Sequence, residues 1–343
     1  MPERFSEILR PASESDWSDA VGHRFVKELF AGTVPDAVIA RYLIQDHRFL
    51  DSFLTLLGAV LASTDTFEAR LRFGRFVGMV SSEENTYFLR AFQALGDLCH
   101  LSLPINPAES TWLHRAAILM IESRESNLMP ERFTETLRAA SEPGWSHAVG
   151  HRFVKELFAG AMPDAVMARY LIKDHRFLDS FLILLGAALV SADTFEARLR
   201  FGRFIGAVSS EENTYFLRAF EALGVTEDRR AADPDTQSTA GFKAIMREAA
   251  ETRSYAAALS VLVVTEWLYL DWASRAPKPL SDNFVHAEWI TLHDNPNFRT
   301  FVDFLRAELD RVGPAHADRC RDFFRRAVAL ELSFFEAAYA DQT

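Results

Sequence analysis

Cysteine is scarce in this sequence. Cys99 and Cys320 are the two in 343 residues, too few for a disulfide framework or a cysteine-rich zinc site, and a reducing compartment is the simpler reading. Lys and Arg form no cluster and the net charge is −11, which argues against a basic face for nucleic acid. Long apolar runs are missing. The longest, "AAALSVLVV" (256–264), is too short to span a bilayer and is soon followed by Glu266. The opening "MPERFSEILRP" has no apolar signal core, and no glycine-rich phosphate loop occurs. No histidine has a glutamate three residues before it, as the di-iron bundles require. His286 and His293 share a helical face but stand seven residues apart, too far for joint ligation. The expectation is a cytoplasmic protein with no metal, no cofactor, no membrane and no nucleic-acid partner.

What is present is a helical core. Apolar residues make up 49 % and charged residues 25 %, as in a globular protein. Few segments alternate with period two, and many repeat with period three or four. Turn signals then predict helices near 143–159, 164–190, 195–223, 241–252, 255–274, 283–292, 297–311 and 315–340. The polar run "TEDRRAADPDTQST" (226–239) reads as a break. The fold class is all-α, with stripes buried between neighbouring helices.

The chain also repeats itself. Residues 1–96 and 129–224 align at an offset of 128 and differ at 17 of 96 positions, much closer than solenoid repeats. Between them lies 97–128, read as a linker or translated spacer, and Met129 opens the second copy with "MPERF" as Met1 opens the first. The expected organisation is a partial duplicate (1–96), the spacer, and a complete domain (129–343). The first copy carries Asp46 and Phe49 but has no second half to cover its apolar stripes. It is therefore expected to associate with something, competing with 129–224 for the C-terminal half in the manner of a domain swap.

Three acids occupy core slots. Asp174 stands in the stripe Met167, Leu171, Leu178, Phe181, Leu185, with Asp46 in the matching slot of the first copy. Glu266 stands among Leu259, Leu262, Tyr269 and Ala273, and Glu331 among Phe324, Ala327, Phe334 and Ala338. A buried carboxylate costs several kcal/mol unless it is paired. Each acid alone reads as an edge residue or one satisfied by Tyr or Arg. Three together predict an acidic pocket whose pKa values rise by burial and like charge, suiting proton transfer near neutral pH. The neighbouring aromatics Phe177, Phe242, Tyr269, Trp267 and Trp289 would suit a flat ring that donates hydrogen bonds. A carboxylate can take two parallel N–H bonds from the amidine-like edge of an aminopyrimidine.

The blocks around these acids are also familiar. Trp145, His151, Phe153, Val154, Leu157, Gly160 and Pro163 are followed by "YLIKDHRFLDSF", "EENTYF" (211–216), "VVTEWLYLDWA" (263–273), "HAEWITLH" (286–293) and "ELSFFEAAY" (331–339). Over 129–343 this resembles the thiaminase II family of TenA-type proteins, whose fold is that of the haem oxygenase superfamily. The resemblance implies a hydrolase of thiamin salvage that replaces the exocyclic amine of an aminomethylpyrimidine, or its formyl derivative, with water. It implies no cofactor and a homo-oligomer, dimer or tetramer. Asp174 falls on the family's aspartate for the ring's amino–imine edge, Glu331 on the proton donor to the departing amine, and Phe177 on a stacking position. The family's nucleophilic cysteine is replaced at Val264–Thr265, so the chain looks like the branch lacking this thiol, with Glu266 as the candidate base. Phe242 and His286 stand where that thiol branch has tyrosines. Thr265, Tyr269 and His286 complete the expected substrate-binding set. Two other readings remain open: a non-catalytic binding or regulatory protein that kept the fold, and a cofactor-free oxidase resembling pyrroloquinoline quinone synthase.

Overall fold

The structure is a computed structural model that describes residues 5–96 and 132–340; the spacer 97–128, Met129 and Cys99 lie outside the described residues. It is helical throughout, with no strand among the described residues. The first repeat gives α1 (Phe5–Ala12), α2 (Glu14–Val21), α3 (Arg24–Ala31), α4 (Asp36–Ser63), α5 (Phe67–Met79), a π turn Val80–Glu84, and α6 (Asn85–Leu95). The rest gives α7 (Phe133–Ala139), α8 (Gly144–Val149), α9 (Arg152–Phe158), α10 (Asp164–Ser191), α11 (Phe195–Ala207), a π turn Val208–Glu212, and α12 (Asn213–Ala222). Beyond these lie α13 (Glu227–Ala232), α14 (Gln237–Glu251), α15 (Tyr255–Ala273), α16 (Phe284–Leu292), α17 (Pro296–Val312) and α18 (Ala317–Ala337).

Local chemistry sets most of these boundaries. The hydroxyls of Thr194, Thr236 and Ser254 and the amide oxygen of Asn295 accept backbone N–H bonds from Ala197, Thr239, Ala257 and Phe298 at 3.0–3.4 Å, satisfying first-turn donors. Two expectations need correction. The single helix expected at 143–159 is two, because Nδ1 of His151 accepts the Phe153 N–H at 3.1 Å and starts α9 afresh. The polar run 226–239 is not all break, because Thr226 caps α13 inside it. Gly160 ends α9 with φ 63°, a backbone state that suits glycine.

By compactness the described residues form two units. One holds 5–50 and 85–96; the other holds 51–84 with 132–340. The units therefore cut across the first repeat. In the first unit many apolar side chains stay open. Trp17 is 51 % exposed and Tyr42 46 %, whereas their counterparts Trp145 and Tyr170 are 0 % and 1 % exposed. Trp145 is covered by Trp267 and Phe324, from the C-terminal half that has no second copy in the chain.

In the second unit α15 is central, buried without a break from Tyr255 to Tyr269, which explains its apolar character on every side. Among the described residues it is the one helix long and apolar enough to cross a membrane, and it lies in the bundle core. Against the bundle sits the tail of the first repeat, docked by reciprocal contacts. Arg70 pairs with Asp179, and Arg198 pairs with Asp51 at 2.6 and 3.1 Å. Arg75 donates to the Ser209 carbonyl and Arg203 to the Ser81 carbonyl, both at 3.2 Å. Every partner set maps onto the other by the offset of 128. This is an isologous interface, the kind two identical subunits form about a two-fold axis, built here within one chain.

Candidate active site

Four acids from four stretches of chain line one cavity of about 1170 Å³: Asp174 on α10, Glu212 at the end of the π turn, Glu266 on α15 and Glu331 on α18. Their side of α10 is pinned by neighbours of Asp174. Lys173 reaches Asp233 and the Pro234 carbonyl, each at 2.6 Å, and Arg176 reaches Asp235 at 2.9 Å. Asp174, Glu266 and Glu331 are buried, while Glu212 keeps some contact with solvent from within the cavity.

Burial is the leading cause of a raised pKa at all four, because it penalises the charged form. Like charge adds to it. Glu212 raises Asp174, and Glu212 and Asp174 raise Glu266. Asp174 and Glu266 raise Glu331. Asp174, Glu266 and Glu331 are thus held well above the usual carboxylate range, and Glu212 is pushed up to about 8. At about 8, Glu212 holds its proton at neutral pH and can donate it, and the other three acids are shifted in the same direction.

Aromatic rings wall the space. Phe177 meets Phe242 edge-on at 5.2 Å, and Phe242 meets Phe334 at 5.8 Å. Opposite them Tyr269 lies 4.8 Å from His293, and Trp289 lies 4.4 Å from it. The Tyr269 hydroxyl shares a 2.6 Å hydrogen bond with Tyr170. The Trp289 carbonyl accepts from Nδ1 of His293 at 2.8 Å, and burial lowers that imidazole's pKa to about 4. His293 is therefore neutral, with the proton on Nδ1.

Of the residues expected from sequence, Asp174, Phe177, Phe242, Thr265, Glu266, Tyr269 and Glu331 line the cavity. His286 does not. It is 1 % exposed, and neither ring nitrogen has a hydrogen-bond partner in the protein; the histidine of α16's end that reaches the cavity is His293. Thr265 donates its hydroxyl to the Leu262 carbonyl at 3.1 Å, the local back-bond common for helical threonine. Among the described residues no group of three or more His, Cys, Asp or Glu is arranged to hold a metal ion. Cys320 is buried against the Ala256 and Gly313 carbonyls and lies outside the lining.

Glu212 and His293 are among the lining residues that sequence reasoning missed as site residues, as are Glu83, Glu196 and Glu211 and the arginines Arg75, Arg200 and Arg203. For Glu212 a signal existed. Phe201, Ile205, Val208, Tyr215 and Ala219 are all buried and run at spacings of three and four, with Glu212 in the vacant slot, the pattern that singled out the other acids. The π turn that carries it is a feature often found at functional sites.

The titration of Glu212 has a sign that can be tested. Its folded-state pKa lies above its ordinary value of 4.5, so its contribution to stability is full below that value and is lost as pH rises through about 8. His175 and His293, both lowered to about 4 by burial, act oppositely: their contribution is present above about 6.5 and lost as pH falls toward 4. In Glu212→Gln the alkaline loss disappears. The melting temperature of the variant relative to the unaltered protein should climb between about pH 5 and about pH 9; parallel curves would mean that Glu212 is already ionised.

Residues 10–98 and 138–341 match the TENA/THI-4/PQQC family. Among solved structures, a TenA-family transcription regulator from Silicibacter sp. is 21 % identical with a TM-score of 0.54, covering 60 % of this chain and 96 % of that one. A putative TenA-like thiaminase from Sulfolobus solfataricus is 17 % identical with a TM-score of 0.53, covering 62 % and 97 %. An uncharacterized protein of Haemophilus influenzae is 21 % identical over 208 residues, 59 % of this chain and 96 % of its own length.

Proposed function

Because the chain belongs to the TENA/THI-4/PQQC family, we propose that it is an aminopyrimidine hydrolase whose reacting acids all come from the second repeat and the C-terminal half that follows it. The reaction replaces the exocyclic amine of an aminomethylpyrimidine, or of its formyl derivative, with water. For the free amine, water and the aminomethyl compound give the hydroxymethylpyrimidine and ammonia. One observation carries the reading: four acids of raised pKa converge in a cavity walled by Phe177, Phe242, Trp289 and Phe334.

Each group has a role set by its protonation state. A neutral Asp174 offers one O–H donor and one acceptor oxygen. That pair matches the ring nitrogen and the amino N–H of a 4-aminopyrimidine edge. If the ring takes the proton, the ionised Asp174 accepts two N–H bonds instead. Phe177 and Phe242, in edge-to-face contact with each other, offer the ring one aromatic wall. Glu331, kept protonated by its surroundings, gives its proton to the departing amine so that ammonia leaves rather than amide ion. A cationic or strongly donating ring favours ionisation of the acids around it, so binding supplies the anionic Glu266 that takes a proton from the attacking water. Thr265 stands where the family's thiol branch has its nucleophile. Its hydroxyl is already donated to Leu262, which favours direct attack by water over a covalent intermediate.

The test is formation of the hydroxymethylpyrimidine by the purified full chain, with ammonia as co-product from the aminomethylpyrimidine and formamide as co-product from its N-formyl derivative. Turnover of at least one is expected. Silence on both, from a folded protein, would favour a non-catalytic role, of the kind named for the Silicibacter relative.

A further inference from the structure

The first repeat carries no counterpart of Glu266 or Glu331, yet it contributes to the cavity. Arg75, Gly78, Met79, Ser82 and Glu83 stand in the lining beside Ala207, Ser210 and Glu211 of the second repeat. We propose that the tail of the first repeat is a working part of the site: it supplies the outer wall of the pocket, and Met79 sets how large a substituent on the pyrimidine's side arm can enter. The substrate class rests on the function proposed above.

Three observations lead there. The wall is fixed rather than draped, because it is held by the Arg70–Asp179 and Arg198–Asp51 pairs and by the two arginine–carbonyl bonds. Next to the lining, α5 and α11 touch backbone to backbone. A Cβ added at Gly78 would lie 2.5 Å from the Gly206 Cα, and one added at Gly206 would lie 2.6 Å from the Gly78 Cα. The residues just after these glycines, Met79 and Ala207, are equivalent by the offset of 128, and both line the cavity. This is also one of the few places where the repeats differ. A symmetric pair of second repeats would put alanine on both sides of the crossing. The duplicate puts a long, flexible thioether on one side, 46 % exposed, and methionine is a side chain that adapts to fill irregular gaps. Duplication within one chain is what allows the two sides to differ.

The test compares the unaltered full chain with Met79→Ala and Met79→Trp, each checked for an unchanged melting temperature. The readout is the ratio of kcat/KM for the N-formyl substrate to that for the free amine. Met79→Ala should raise this ratio about five- to tenfold, and Met79→Trp should lower it by a similar factor. One ratio shared by all three proteins would overturn the proposal. If the unaltered chain turns over neither substrate, the hydrolase reading fails, and the wall is judged by binding alone. Calorimetric titration with 4-amino-2-methylpyrimidine and with an analogue bulkier at the 5-position should give the same order of preference. Equal affinities in all three proteins, or no binding by any of them, would overturn it.

Discussion

Glu331→Gln is expected to lower kcat for amine release by about 10²- to 10⁴-fold while leaving KM within about threefold, the range spanned by losing one general acid. The split stems from the protonation state. Glu331 is buried, and Asp174 and Glu266 add like charge to the desolvation that keeps its proton on. A glutamine amide copies the size and neutrality of that protonated acid, so the bound ground state hardly changes. What it cannot do is release a proton to the nitrogen as the C–N bond breaks, and loss confined to the transition state appears in kcat. On the proposed function, the unaltered protein should also lose activity at alkaline pH as Glu331 ionises, and the residual rate of the variant should lack that limb. Steady-state kinetics across pH measure both. A variant that instead raises KM with kcat intact would place Glu331 in binding.

The second large effect belongs to the crossing of α5 and α11. Gly78→Leu puts a side chain where the nearest atoms are the backbone of Gly206. Backbone cannot rotate aside as a side-chain end can, so the two helices must separate. Overpacking of this kind costs about 1–3 kcal/mol and sometimes more, and here it also pulls on the flanking arginine pairs. Thermal unfolding should show a loss of roughly 3 kcal/mol or more, with Gly206→Leu behaving alike by the two-fold relation. Equal stability of Gly78→Leu and the unaltered chain would mean that the first repeat does not dock as described.

The fold and the site were not equally legible in the sequence. The long helices α10, α15 and α18 are set by apolar stripes, and their acids stood out because Asp174, Glu266 and Glu331 break those stripes at the centre. The same rule, applied to α11 and the π turn at its end, reaches Glu212. The signal is masked because Glu212 stands in the polar stretch "SSEEN" (209–213), which reads as a solvated face. His286 was drawn into the site by block resemblance alone. Its ring is buried elsewhere, and His293, seven residues on, reaches the cavity. The reciprocal docking of the two repeats was out of reach for a different reason. Arg70, Asp51 and Gly78 are unremarkable in sequence, and their partners become visible only when residue i of one copy meets residue j+128 of the other. The open apolar faces of the first unit, with Trp17 half exposed, were foreseeable, since no second copy of 225–343 exists to cover them.

The central claim is that Asp174 and its neighbouring acids exist to hold an aminopyrimidine edge. Calorimetric titration of 4-amino-5-aminomethyl-2-methylpyrimidine into Glu331→Gln, which slows turnover, and into the double variant Asp174→Asn/Glu331→Gln measures it directly. One site per chain is predicted, with affinity falling about 100-fold or more when Asp174 is lost, as expected for removing one partner of a buried, charge-assisted pair. Equal affinity in the two proteins would contradict the claim.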